Sequence, residues 1–300
     1  MTPYNELPAS LIAEVMELDL DPHDLYGDIA DALREDLPHE GDVDVTSVAT
    51  ISADALGRGV FAAREPGVVA GLVIAEMVFH YVMGDAVTVS HRTPEGATVQ
   101  PGDVVMEVAG PTRGLLTAER TALNFASHLS GVATATARWV EALAGTNAKV
   151  LDTRKTLPNY RALEKYAVRA GGGHNHRMSL ADMALVKDNH IVAAGGVVPA
   201  YHAVKAMWPD LPIEVEVGTL QELRELLEVG CDRILLDNMS DAQLTEAVAI
   251  TAGRATLEAS GGLTLERARG VALTGVDWIS VGALTHSVKV FDIGLDLQAD

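Results

Sequence analysis

Three short runs carry most of the chain's reactive side chains: Asp152-Thr-Arg-Lys-Thr156, Gly171-Gly-Gly-His-Asn-His-Arg177 and Lys187-Asp-Asn-His190. From Arg154 to Lys187 the chain holds seven of its 22 lysines and arginines, opposed only by Glu164 and Asp182. That stretch is near +5 inside a protein of net charge −20. Such a reversal suits a site that holds a polyanion within a molecule that otherwise repels one.

The residue types refine this. Arg154 and Lys155 follow an apolar run, and an arginine fork matches a carboxylate or phosphate at two points. The three glycines before His174 allow a tight turn with exposed backbone N–H groups. His174 and His176 have the spacing of a metal-binding pair, but Arg177 beside them would repel a cation. Lys187 suits either a Schiff base or a fixed cation for an anionic substrate. Glu214 and Glu216 share one face of a strand-like run. Glu216 is the better site candidate; with Asp237 it can hold Mg²⁺ or face a developing positive charge. Ser260-Gly-Gly262 and Gly282 suit phosphate binding on backbone N–H groups. Arg161, Lys165 and Arg169, spaced four apart, read as a solvated basic stripe, and Cys231 reads as structural.

The elements that must position these groups fall into two patterns. Tyr4–Asp19 and Leu25–Leu37 read as amphipathic helices. Between Val43 and Gly114, β-prone runs at Val60–Ala63, Val87–Val89 and Val104–Val108 are cut by Pro-Gly turns, with a helix at Leu72–Met83. Leu116–Gly145 reads as one long helix capped by Thr117, placing Arg120 in its first turn. There the helix dipole disfavours a cation unless an anion binds beside it. From Lys149 onward, six apolar runs alternate with helical stretches: Lys149–Leu151, Met183–Val186, Ile213–Val217, Arg233–Leu236, Ala255–Glu258 and Trp278–Val281. The alternation predicts a parallel sheet of βα units, and a reactive group after nearly every run predicts a β/α barrel site. A doubly wound sheet would gather its groups at one switch point.

The acidic balance argues against general nucleic-acid or anionic-membrane binding. The most apolar window, Gly67–Gly84, contains Glu76 and His80 and is short for a membrane span. A single cysteine excludes an intramolecular disulfide and suits a reducing cytoplasm. The first residues lack the pattern of a secretory leader.

As a set these stretches resemble the quinolinate phosphoribosyltransferase family. The similar pieces are Glu119-Arg-Thr-Ala-Leu-Asn124, the three runs above, Glu214-Val-Glu216, Leu235-Leu-Asp-Asn-Met239, Glu258-Ala-Ser-Gly-Gly262 and Ile279-Ser-Val-Gly-Ala-Leu-Thr-His286. The resemblance implies an N-terminal α/β sandwich (1–117), an open, incomplete β/α barrel (118–285) and a tail (286–300). It implies that quinolinate attacks phosphoribosyl pyrophosphate, releasing pyrophosphate and CO₂ and leaving nicotinate mononucleotide, with Mg²⁺ and no organic cofactor. It assigns the ring carboxylates to Arg120, Arg154, His176, Arg177 and Lys187, with Lys155 nearby. It assigns the ribose and metal to Glu216 and Asp237, and the 5′-phosphate to Ser260, Gly261 and Gly282. Lys155 and Lys187 join Glu216 and Asp237 as expected catalytic residues. It also implies a homodimer or higher oligomer in which Arg120 reaches a neighbouring subunit's site. The rival readings are a Schiff-base aldolase using Lys187 and a non-catalytic anion-binding protein.

Overall fold

The structure is a computed structural model that describes residues 1–299. In chain order the helices and strands are α1 (Ala9–Glu17), α2 (Pro22–Asp36), α3 (Val45–Thr50), β1 (Leu56–Ala63), β2 (Gly67–Val68), α4 (Leu72–Met83), β3 (Thr88–Arg92), β4 (Thr98–Val99) and β5 (Val104–Pro111). There follow α5 (Thr112–Ala142), β6 (Lys149–Leu151), α6 (Arg161–Ala170), β7 (Ala184–Val186), α7 (Asp188–Ala194), α8 (Val197–Met207), β8 (Ile213–Val217) and α9 (Leu220–Glu228). The last are β9 (Arg233–Asp237), α10 (Asp241–Thr251), β10 (Thr256–Ser260), α11 (Leu265–Leu273), β11 (Trp278–Ser280), α12 (Ala283–His286) and β12 (Ile293–Ala299).

The chain divides into two compact units. The first comprises Met1–Ala135, Ala162–Gly171 and the chain from Val288; the second comprises Thr136–Arg161 and Gly172–Ser287.

In the first unit an antiparallel sheet runs in the order β12-β1-β5-β3. The residues expected to form a tail thus supply a strand: Phe61 pairs with Leu295 and Ala63 with Ile293. Helix α4 packs against β3 and β5, and Phe79 meets Phe61 edge-on at 5.8 Å. The apolar window opens with β2 and is this helix from Leu72 to Met83, buried along most of its length because it is core. Asp21 starts α2 by accepting N–H bonds from His23 and Asp24, with Pro22 at the first helical position.

Two expectations fail here. Helix α5 begins at Thr112, directly after Pro111 ends β5, so Arg120 lies more than two turns inside it and is exposed. Gly114 gave the first turn the look of a loop. Thr117 does not cap the helix; its hydroxyl bonds back to Arg113 O at 2.9 Å. Arg120 therefore does not stand against the helix N-terminal dipole. The basic stripe is also not solvated. In α6, Leu163 to Val168 are all buried, Lys165 completely so, and Arg169 donates to Leu18 O. Side chains pack around the whole helix, which charge periodicity alone does not reveal.

The second unit is built on a six-stranded parallel sheet in the order β6-β11-β10-β9-β8-β7. The first two strands in sequence form its two edges, so the barrel is open between β6 and β7. Consecutive residues of β8, β9 and β10 are buried, as in strands covered on both faces. Capping boxes, Thr219 with Glu222 and Ser240 with Gln243, start α9 and α10. They turn the chain into its helices soon after each strand, leaving the strand ends free for chemistry.

Candidate active site

At the C-terminal ends of these strands lie two adjoining cavities. One, of about 280 Å³, is lined by Arg154, Lys155, His176, Arg177, Lys187 and Glu258, with Leu185 and Leu235 as apolar walls. The other, of about 510 Å³, is lined by Glu216, Asp237, Asn238, Ser260-Gly-Gly262, Gly282 and His286. Thr153, Lys155, Lys187, Ser260 and Ser280 border both. One cavity is dominated by cations; the other presents two carboxylates beside glycine turns.

The cationic wall is held from behind. Buried Asp152 directly follows β6 and accepts N–H bonds from His176 at 2.9 Å and from the Asn175 side chain. The triple glycine lets the chain return to β6, where His174 N–H donates to Val150 O at 2.8 Å. Arg177 donates to Met183 O at 2.8 Å. Burial first, and the Arg154 charge second, push the Arg177 pKa down. Arg154 has a buried Nε with no hydrogen-bond partner among the described residues. Guanidiniums crowded in this way are stabilised by an anion between them.

His176 does not present a free N–H to the cavity. Its Nδ1 accepts the Arg177 backbone N–H at 2.7 Å, so Nε2 carries the proton and donates to Glu214 at 2.8 Å. His174 turns away: its ring meets Trp278 at 5.6 Å. The His-x-His pair therefore does not converge as metal ligands.

Glu214 and Glu216 have different fates. Glu214 is completely buried and also accepts from Arg233 Nε at 3.0 Å. Burial works to raise its pKa, but His176 and Arg233 outweigh that and hold it low. Glu216 reaches the larger cavity and accepts from Lys187 Nζ at 3.1 Å. Lys187 stands there as the fixed cation of an ion pair, which removes the main support for a Schiff base. His176, Glu214 and Glu258 also lie close enough to suggest a metal site. Arg233, however, approaches Glu214 at 3.0 Å and Glu258 at 3.5 Å, so a guanidinium stands where an ion would.

The phosphate-type corner is tightly built. Gly261 has φ +98°, and a Cβ there would meet Asn238 Oδ1 at 2.3 Å, so no other residue fits. At Gly282 a Cβ would press on Lys155 Cδ at 3.0 Å. Thr285 Oγ1 donates to Lys155 O at 2.8 Å, fixing that loop.

Of the expected site residues, Arg154, Lys155, His176, Arg177, Lys187, Glu216, Asp237, Ser260, Gly261 and Gly282 all line one or both cavities. Arg120 belongs to the other compact unit. Sequence reasoning missed Glu258, Arg233, Asn238 and His286. Glu258 was findable, because it lies two residues before Ser260 and so shares its face of the strand.

The chain is similar to known proteins over most of its length. The family described as "Quinolinate phosphoribosyl transferase, C-terminal domain" matches residues 132–296, and its N-terminal counterpart matches residues 44–130. The chain is 52% identical over 270 residues to a nicotinate-nucleotide pyrophosphorylase [carboxylating] of Mycobacterium leprae, covering 89% of this chain and 94% of that one. It is 41% identical over 297 residues to a chloroplastic counterpart from Arabidopsis thaliana, covering 93% and 84%. Among solved structures, NadC from Streptococcus pyogenes aligns with a TM-score of 0.88 at 40% identity, covering 93% of this chain and 98% of that one.

Proposed function

The chain belongs to the quinolinate phosphoribosyltransferase family, and we propose that its two adjoining cavities divide that reaction between them. The enzyme transfers the phosphoribosyl group of phosphoribosyl pyrophosphate to the nitrogen of quinolinate. Pyrophosphate and CO₂ leave, and nicotinate mononucleotide remains, a step of NAD biosynthesis. The observation that carries the division is the separation of charge: cations around the 280 Å³ cavity, Glu216 and Asp237 in the other.

Quinolinate carries adjacent carboxylates on a flat ring. Arg154, Arg177 and Lys187 pair with them, Lys155 borders both substrates, and Leu185 and Leu235 pack on the ring. His176 forms part of the wall and fixes the Arg177 backbone. Ribosyl transfer builds positive charge at the anomeric carbon, which Glu216 and Asp237 stabilise more strongly in the transition state than in the ground state. The 5′-phosphate sits on the backbone of Ser260, Gly261 and Gly282. The lost carboxylate leaves its electrons beside a ring nitrogen made cationic by ribosylation, so no organic cofactor is required.

The donor set suits Mg²⁺. Glu216 and Asp237 are oxygen ligands on neighbouring strands in one cavity, the type a hard cation takes. Bound there with the substrate, Mg²⁺ supplies charge neutralisation for the departing pyrophosphate.

The working form in this reading is a homodimer or higher homo-oligomer, with Arg120 reaching a neighbouring subunit's site. The exposure of Arg120 and the family resemblance support this. Mixing the inactive variants Arg120→Ala and Lys187→Ala under subunit exchange should restore activity, since some sites then carry neither defect. Confirmed exchange without recovery would contradict sharing. A cytoplasmic location fits the single buried cysteine, Cys231, whose thiol burial pushes up to about 11. No helix among the described residues is long and apolar enough to cross a membrane.

The direct test is turnover. With Mg²⁺ and phosphoribosyl pyrophosphate, the protein should release CO₂ from quinolinate and form no nucleotide from nicotinate. Equal turnover of both acids would reject the reading.

A further inference from the structure

Glu258 sits at mid-strand on β10 with 1% of its surface exposed, yet it lines the cationic cavity. Neither of its carboxyl oxygens makes a hydrogen bond of good geometry among the described residues, although the Ser280 hydroxyl and the Glu214 carboxylate lie beside it. His176 Nε2 at 3.4 Å and Arg233 at 3.5 Å are near but outside good hydrogen-bond geometry. A carboxyl without a good hydrogen bond at the floor of a cavity otherwise built for anions requires an explanation.

The charges around it supply one. From β8 comes Glu214, from β9 Arg233, from β11 the Ser280 hydroxyl, and from the loop before β7 His176 and Arg177; Arg154 and Lys187 line the cavity beyond. His176 is neutral, because its Nδ1 is occupied as an acceptor by the Arg177 backbone N–H. The buried cluster behind the cavity therefore holds one guanidinium and two carboxyls. Electroneutrality in a buried space leaves one carboxyl protonated. Glu214 takes the short bonds from His176 and Arg233, so the proton resides on Glu258. Burial first, then the Glu214 charge, push the Glu258 pKa up to about 8.

We propose that Glu258 is a catalytic residue, the general acid whose carboxyl proton passes to the ring carbon that loses CO₂. This rests on the functional reading above. Once the ring nitrogen is ribosylated, the bond from ring C2 to its carboxylate breaks. The electron pair stays on C2, beside the cationic nitrogen, and CO₂ departs. The Glu258 O–H bond then breaks, its proton joins that pair as C2–H, and Glu258 is left a carboxylate. Repelled by Glu214, it takes a proton from water as the product leaves. The same carboxyl, in its charged form, removes the C2 proton in the reverse direction.

The two directions give opposite pH arms, which a structural role would not. In wild-type protein, kcat for CO₂ release should fall as pH rises through the Glu258 pKa. Exchange of the C2 proton of nicotinate mononucleotide in D₂O, followed by proton NMR, should rise over the same range. Glu258→Gln keeps the shape and removes the proton. It should bind quinolinate within about threefold of wild type while CO₂ release and C2–H exchange both fall roughly 100-fold or more. Wild-type rates in that variant would overturn the proposal. Should the variant fail to fold, as seen by circular dichroism, the wild-type pH arms decide alone, and two flat or parallel arms overturn it. A wild-type protein that releases no CO₂ from quinolinate would instead overturn the functional reading and this proposal with it.

Discussion

Each compact unit holds a charged network around a glutamate, Glu95 in the first and Glu258 in the second, and the two differ in one respect. In the first unit Glu95 is surrounded by donors. It accepts from Gly71 N–H and Val73 N–H at the start of α4, both at 2.8 Å, and from the Tyr166 hydroxyl, with Arg92 bridging Glu76 and Glu14 beside it. In the second unit Glu258 and the Nε of Arg154 are buried and make no hydrogen bond of good geometry among the described residues. Both networks push a carboxyl group up in pKa, burial being the first cause for Glu95 and Glu258 alike. The satisfied network holds a helix in place. The unsatisfied one faces a cavity and has bonds left to make. Unmet hydrogen-bonding capacity, more than burial or charge, distinguishes chemistry from scaffolding here.

The largest effects should come from the unsatisfied side. Arg154→Ala and Arg177→Ala should raise the quinolinate KM by roughly 100-fold or more, since each removes a cation facing charge already present in the ground state. Glu216→Ala and Asp237→Ala should lower kcat by about 100- to 1,000-fold with a smaller change in KM, because they face charge that develops later. Steady-state kinetics separates the two classes. Normal kcat in the Glu216 variant would break the assignment. All four proteins should melt close to wild type.

The satisfied side should show the reverse. Glu95→Ala strands two backbone donors and the Tyr166 hydroxyl, and should cost about 1–3 kcal/mol in urea unfolding. Its kcat should be unchanged. A kinetic defect without lost stability would erase the distinction between the networks.

A further effect lies in the pH dependence of melting. Glu258 is raised from 4.5 to about 8, so between those values the folded protein keeps a proton that the unfolded chain releases. This contribution lowers stability as pH rises through that window. Glu258→Gln removes it, so the variant should gain in Tm relative to wild type by a few degrees between about pH 5 and pH 8. A constant difference would show that Glu258 is charged throughout.

Much of this was legible in the sequence. The alternation after Lys149 yields the six parallel strands, and the strand-end residues line the cavities because side chains alternate faces with period two. The Arg154–Lys187 charge reversal located the cationic cavity. What escaped depended on contacts distant in the chain. Pairing of β12 with β1 joins Gly57 to Ala299 across the whole sequence, which no local pattern records. Lys165 looks like any surface lysine until packing buries it. Arg120 seemed to open a helix because Gly114 masked a first turn that begins at Thr112. The two nitrogens of His176 are committed by Glu214 and by its own backbone neighbour, so a residue expected to grip substrate instead shapes the wall.

The central claim is that the cationic cavity is built for two adjacent carboxylates. Calorimetric titration of wild-type protein with quinolinate and with nicotinate tests it without requiring turnover. Nicotinate lacks the 2-carboxylate and leaves buried cations unpaired, a loss of about 3 kcal/mol or more. The account predicts that quinolinate binds at least roughly 100-fold more tightly, and equal dissociation constants for the two acids would contradict it.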